Sequence, residues 1–167
     1  MARASTVRLP REIEADPACD AIRARLAPAR RLWSGGDATV PLVPLGPALG
    51  GALARAWSDA QLVLGLDAAG AALAGEAQGL DALARRTGTS HGARVSRLLL
   101  LSGDGAERLY RHAERLAAAH APRVLVVVVD ADAAALGRAT LDRPAAVKVV
   151  LARHKATVAA LLRALAA

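Results

Sequence analysis

The stretch S-R-L-L-L-L-S-G-D-G-A-E-R-L-Y-R-H-A-E-R-L-A-A-A-H-A-P-R-V-L-V-V-V-V-D-A-D, residues 96–132, decides the fold. Its two unbroken apolar runs, at 98–101 and 124–129, are too short for helices and rich in Leu and Val. Neither run alternates polar with apolar residues, so each strand is expected to be covered on both faces, as in a parallel sheet. Between them Leu109, Ala113, Leu116 and Ala117 recur at helical spacing and form a face that packs down. The segment reads as strand, glycine turn, amphipathic helix and strand, a right-handed βαβ unit.

Towards the C-terminus the same alternation continues. Asp130-Ala131-Asp132 precedes a short helix at 133–139, and Asp142-Arg143-Pro144 makes a turn. A third apolar strand follows at 146–151, then a terminal helix at 154–166 whose buried stripe is Val158, Leu161, Leu162 and Leu165. From Leu98 the order is β-α-β-α-β-α. The expected fold is α/β, a three-layer sandwich with a mainly parallel or mixed sheet.

Towards the N-terminus the pattern is less regular. Residues 61–74 contain an apolar run, Asp67-Ala68-Ala69-Gly70 and a second apolar run, which together favour a β-hairpin. A small-residue helix is the alternative, since Ala is the best helix former. A helix at 78–86 should end at Thr87-Gly88. Residues 39–45, interrupted by Pro41 and Pro44, fit only an edge strand or extended segment, and Pro47 opens a short helix running to Trp57. Asp16-Pro17 starts another, burying Ile22 and Leu26 and stopping before Pro28. Residues 1–15 carry no periodic signal and read as loose or as a short edge element. The division is an α/β domain at 61–167, preceded by an irregular N-terminal extension with short helices at 1–60.

The 167 residues carry a net charge of +7, a balance that suits a polyanionic partner. Residues 97–167 hold 11 basic and 6 acidic groups, whereas residues 1–60 hold 8 and 6. The excess therefore belongs to the α/β half. Of the 22 basic residues all but Lys148 and Lys155 are Arg, a bias that a GC-rich genome also writes. Aromatic residues are limited to Trp33, Trp57 and Tyr110, which argues against single-strand binding folds that stack bases on aromatic platforms. Cys19 is alone, excluding an internal disulfide and a cysteine-based zinc cluster. No stretch approaches the roughly 20 apolar residues of a membrane span, and the first residues lack the apolar core of a signal peptide. A cytoplasmic protein without a membrane partner is expected.

Several residues invite a chemical reading. Ser102-Gly103-Asp104-Gly105 lies between a strand and a helix, where phosphates bind. It lacks the third small residue of a dinucleotide fingerprint and the Gly-Lys-Ser/Thr of a P-loop. Asp104 as N-cap with Glu107 at N3 reads instead as a capping box. Asp130 and Asp132 end a buried strand, the place where α/β proteins put ligand groups. With Asp104 they are the candidate divalent-metal carboxylates, and capping of the next helix is the competing use. These residues and Ser102 would serve a small α/β enzyme or ligand-binding domain. His91, His112, His120 and His154 share no metal-ligand spacing, and no catalytic residue or cofactor is assigned. Arg108, Arg111 and Arg115 form a solvent stripe on the central helix, with Glu107 able to answer Arg111 at i, i+4. Arg97 and Arg123 flank the two buried strands.

Residues 97–151 resemble the kink-turn-binding ribosomal proteins, whose superfamily includes the third domain of eukaryotic-type peptide-chain release factors. The matching features are the leucine strand with its acidic turn at Asp104, the helix, and the valine strand. Ala135-Leu136-Gly137-Arg138-Ala139 and Arg143-Pro144-Ala145-Ala146-Val147 follow in the corresponding places. The resemblance implies an α/β fold and RNA contact. It places the family's Gly-Thr-Asn-Glu RNA-reading tetrad on Gly88-Thr89-Ser90-His91, where Ser and His stand for Asn and Glu. The expectation is a non-enzymatic, RNA- or ribosome-associated domain, with Arg85, Arg86, Arg94, Arg97, Arg108, Arg111 and Arg138 contacting phosphates. A structural role, docking on an acidic protein partner or forming a homo-oligomer, is the remaining alternative.

Overall fold

The computed structural model describes residues 7–89 and 93–167. In chain order the elements are α1 (Arg11–Glu14), α2 (Cys19–Arg25), β1 (Arg30–Arg31), β2 (Thr39–Val40), β3 (Leu42–Pro44), α3 (Pro47–Ser58) and β4 (Leu62–Leu64). They continue with α4 (Leu66–Thr87), β5 (Arg97–Ser102), α5 (Glu107–Ala119), β6 (Val124–Asp130), α6 (Ala133–Leu141), β7 (Val149–Ala152) and α7 (Lys155–Ala166).

Five strands form one sheet in the order β3-β6-β5-β7-β4. β5 and β6 pair in parallel, with Leu98 opposite Leu125 and Leu101 opposite Val128, as expected of the βαβ unit. β3 adds in parallel on the other side of β6. The valine strand is thus interior, with both edges occupied, while β7 is antiparallel to both β5 and β4. Four strands therefore share a direction, and the sheet is mixed.

Side chains of successive strand residues leave opposite faces, so each strand feeds two cores. Leu98, Leu100, Val127, Val129 and Val150 pack with α3, α6 and α7 on one face. Leu99, Leu101, Val126, Val128 and Leu151 pack with α4 and α5 on the other. This is a three-layer α/β sandwich. The terminal helix buries Val158, Leu161, Leu162 and Leu165 as its spacing dictates. The first sixty residues supply edge strand β3, and their α3 packs on α6 and α7. The two-residue strands β1 and β2 pair separately over the α5 face, burying Leu32 and Val40.

Three local expectations need correction. Residues 66–87 are one helix, so the hairpin does not form. Gly65, at φ 92°, ends β4, and the Ala-rich run after it has no β-branched residue to favour a second strand. Small residues also let α4 lie close to α5, with Gly70 facing Leu116. Gly88 closes α4 in the left-handed conformation at φ 66°. Second, residues 9–14 are ordered. Leu9 and Ile13 are fully buried, because a single helical turn sets them against α7. Third, α2 begins at Cys19 rather than at Pro17, and Asp16 Oδ1 accepts a hydrogen bond from the Ala18 N–H at 2.8 Å.

Ion pairs tie this N-terminal corner down. Glu14 lies between Arg94 (2.6 Å) and Arg23 (3.2 Å), and Arg163 donates to Asp16 (2.7 Å). The Arg94 guanidinium holds the Glu14 carboxyl below its ordinary value near 4.5. Arg163, then the Ala18 N–H, hold Asp16 below 3.8. Carboxylates with lowered folded values stabilise the fold above their unfolded values, and lose that contribution as pH falls through the folded ones. Amide protection at residues 11–25 should therefore drop relative to β5 as pH is lowered below about 4. Equal protection of both regions down to pH of about 3 would contradict this.

A basic cleft at the amino edge of the sheet

The candidate site follows from strand direction. β5 and β6 begin at one edge of the sheet with Arg97 and Arg123 beside each other, since Arg97 pairs with Val124. β7 runs the opposite way, so Arg153 and the start of α7 reach the same edge. β4 runs with β5, so α4 starts at the far edge and travels towards this one. Its 22 residues span about 33 Å against about 20 Å for β5. The last turns of α4 therefore overshoot the sheet.

Beneath that overhang Glu76 of α4 gathers three arginines. Arg97 Nε donates to its Oε2 at 2.8 Å and Arg123 Nη2 to the same oxygen at 3.1 Å. Arg153 Nε lies 3.8 Å from Oε1. Arg97 also donates to the Ser96 carbonyl. The side chains of Arg97, Arg123 and Glu76 are only 16%, 11% and 17% exposed. One carboxylate cannot neutralise three guanidinium groups, so the cluster keeps an excess of two positive charges.

A cleft of about 620 Å³ opens here, between α1 on one face of the sheet and α4 on the other. Arg11, Arg94, Arg97, Arg123 and Lys155 line it, against the single lining carboxylate Glu12. Leu80 supplies part of the α4 wall.

Of the arginines expected to meet phosphate, Arg94 and Arg97 line this cleft. Arg94 is also engaged with Glu14 and the Leu9 carbonyl. Arg85 and Arg86 lie on the exposed end of α4 at the same edge. Arg108 and Arg111 begin α5 at the opposite edge, where Arg111 stacks over Trp33 at 5.3 Å and faces Glu107 at 3.9 Å. Arg138 sits on α6 outside the cleft. Arg123 was signalled by its place flanking a buried strand. Arg11, Lys155 and Glu76 gave no sequence signal, because only the fold brings them to one edge. Ser90 and His91 of the RNA-reading tetrad lie outside the described residues.

Compared with protein-family models and with curated proteins, the sequence matches none.

At the carboxyl edge Asp132 and Asp104 are engaged by backbone N–H groups. Asp132 Oδ1 accepts from the Ala135 N–H at 2.7 Å, the helix cap expected of it. Asp104 departs from the capping-box expectation. α5 starts at Glu107 after Ala106, with no side-chain cap. Asp104 Oδ1 instead accepts from the Ala133 N–H of α6 at 3.0 Å. The cause is a cross-link between turns: the Gly103 N–H donates to the Ala131 carbonyl at 2.8 Å and swings Asp104 towards α6. Tyr110 holds the same turn, donating to the Ser102 carbonyl and accepting from the Gly105 N–H. Asp130 is exposed, and Ser102 is completely buried. Among the described residues no group of three His, Cys, Asp or Glu side chains is arranged to hold a metal ion.

Proposed function

We propose that this protein is a cytoplasmic RNA- or ribonucleoprotein-binding domain that holds phosphates in the cleft at the amino edge of its sheet. The observation that carries the reading is the Glu76 cluster, whose three arginines share one carboxylate and two of which, Arg97 and Arg123, line the cleft. The Glu76 carboxylate fixes two forked donors in place before any ligand arrives, which limits the ordering cost on binding. Arg85 and Arg86 extend the positive surface along the α4 overhang and would meet phosphates further along the chain. No helix among the described residues is long and apolar enough to cross a membrane.

Phosphate binding releases counterions, so its salt dependence counts the contacts. About three phosphates met by the cleft and the α4 overhang together give a slope of log affinity on log salt near −2 to −3. Affinity for a structured RNA should then fall roughly 15- to 60-fold between about 50 and 200 mM salt. Anisotropy titrations of the full chain measure this directly. No RNA binding at the lower salt, or binding indifferent to salt, would end the proposal.

A further inference from the structure

We infer that the cleft takes a terminal phosphate, the monoester dianion at an RNA end, in preference to the phosphodiesters inside a chain. The inference rests on the RNA-binding reading above and names the group that the cleft would hold.

Charge is the first argument. The Glu76 carboxylate leaves two of its three guanidinium charges unanswered; Arg97 and Arg123 of that cluster line the cleft with Arg11, Arg94 and Lys155, against Glu12, and a phosphate monoester carries about −1.5 to −2 near neutral pH. A phosphodiester carries a single charge and would leave the cluster half answered.

Access is the second. Arg97 and Arg123 are recessed, with 16% and 11% of their side chains exposed. A phosphodiester has a sugar on each side, and both must be accommodated before its oxygens reach these guanidinium groups. A terminal phosphate is tethered through one ester and presents three free oxygens, enough for two forked guanidinium groups and a further donor.

The reversed strand adds a helix end. Because β7 is antiparallel, α7 is the one long helix among the described residues that starts at this edge; α3, α4, α5 and α6 start at the other. Its N-cap, His154, makes no side-chain cap, so the N–H groups of Lys155, Ala156 and Thr157 are left for an anion. Lys155 itself lines the cleft. Through Lys155 the start of α7 reaches the same cleft as Arg97 and Arg123.

The test uses the full chain and one short oligoribonucleotide in three forms: 5′-phosphorylated, 3′-phosphorylated, and with hydroxyls at both ends. At physiological salt one phosphorylated form should bind about tenfold or more tightly than the hydroxyl form. Inorganic phosphate should compete that advantage away. Lys155→Ala removes an exposed side chain, and Arg123→Lys keeps the charge beside Glu76 while losing the fork. Both should erase the preference with an unchanged melting curve. Equal affinity for the three forms overturns the inference and leaves the RNA-binding reading standing, as does a preference that survives both substitutions. Failure of every form to bind overturns both.

Discussion

Val127→Asp is expected to leave the protein unfolded or insoluble. Val127 is fully buried in β6, opposite Leu100, with β5 on one side and β3 on the other. Its side chain enters the core shared with α3, α6 and α7, where the cluster around it is apolar. A carboxylate placed there has no partner, and burial costs several kcal/mol, roughly 4 or more for an uncompensated polar group. Domains of this kind have about 5–15 kcal/mol in total. Circular dichroism and the soluble fraction after expression report the result. Arg111→Ala is the comparison. Its guanidinium is about half exposed on α5, and its pairing with Glu107 and Trp33 is worth about 1 kcal/mol. That variant should melt cooperatively. A soluble, normally melting Val127→Asp protein would mean that β6 is not an interior strand.

Gly137→Ala is expected to cost about 3 kcal/mol or more, a large effect for a single added methyl. The segment entering β7 crosses directly over α6, and a Cβ on Gly137 would collide with the Ala145 carbonyl oxygen and lie 2.6 Å from its carbon. Both are backbone atoms, so no side-chain rotation relieves the clash. The crossing segment cannot simply lift away either, since the Val147 N–H donates to the Ala133 carbonyl at 2.9 Å. Val149 and Val150 follow at once as strand residues between β5 and β4. Chemical denaturation should show a lower midpoint and, by the size scaling, a melting temperature roughly 10 °C lower. An unchanged midpoint would show that the crossing has room for a methyl group.

The layers were legible because the strands are buried on both faces. A run such as 124–129 has no reading other than an interior strand, and 98–101 pairs with it in the register that a βαβ unit requires. The stripe on α7 was equally plain. Legibility failed where Ala dominates. Residues 66–77 have too little periodic contrast to separate hairpin from helix, and a single positive-φ residue, Gly65, decides the outcome. It failed again at Asp104, whose partner is set by a cross-link between two turns rather than by its own helix. The basic cleft was half visible. Arg97 and Arg123 announce themselves beside apolar runs, but Glu76, Arg11 and Lys155 join them only through the overshoot of α4 and the reversal of β7.

On the proposed function, RNA phosphate is bound at one edge of the sheet and not by the stripe on α5. The most direct measurement compares charge reversal at the two ends of the molecule. Lys155→Glu alters an exposed residue of the cleft, and Arg108→Glu an exposed residue at the far edge. RNA affinity and its salt slope are measured for both and for the wild type. The expected result is a loss of about tenfold or more for Lys155→Glu with a slope shallower by about one, and an almost unchanged titration for Arg108→Glu. Equal losses for the two variants, or a loss confined to Arg108→Glu, would contradict the assignment of RNA binding to the amino-edge cleft.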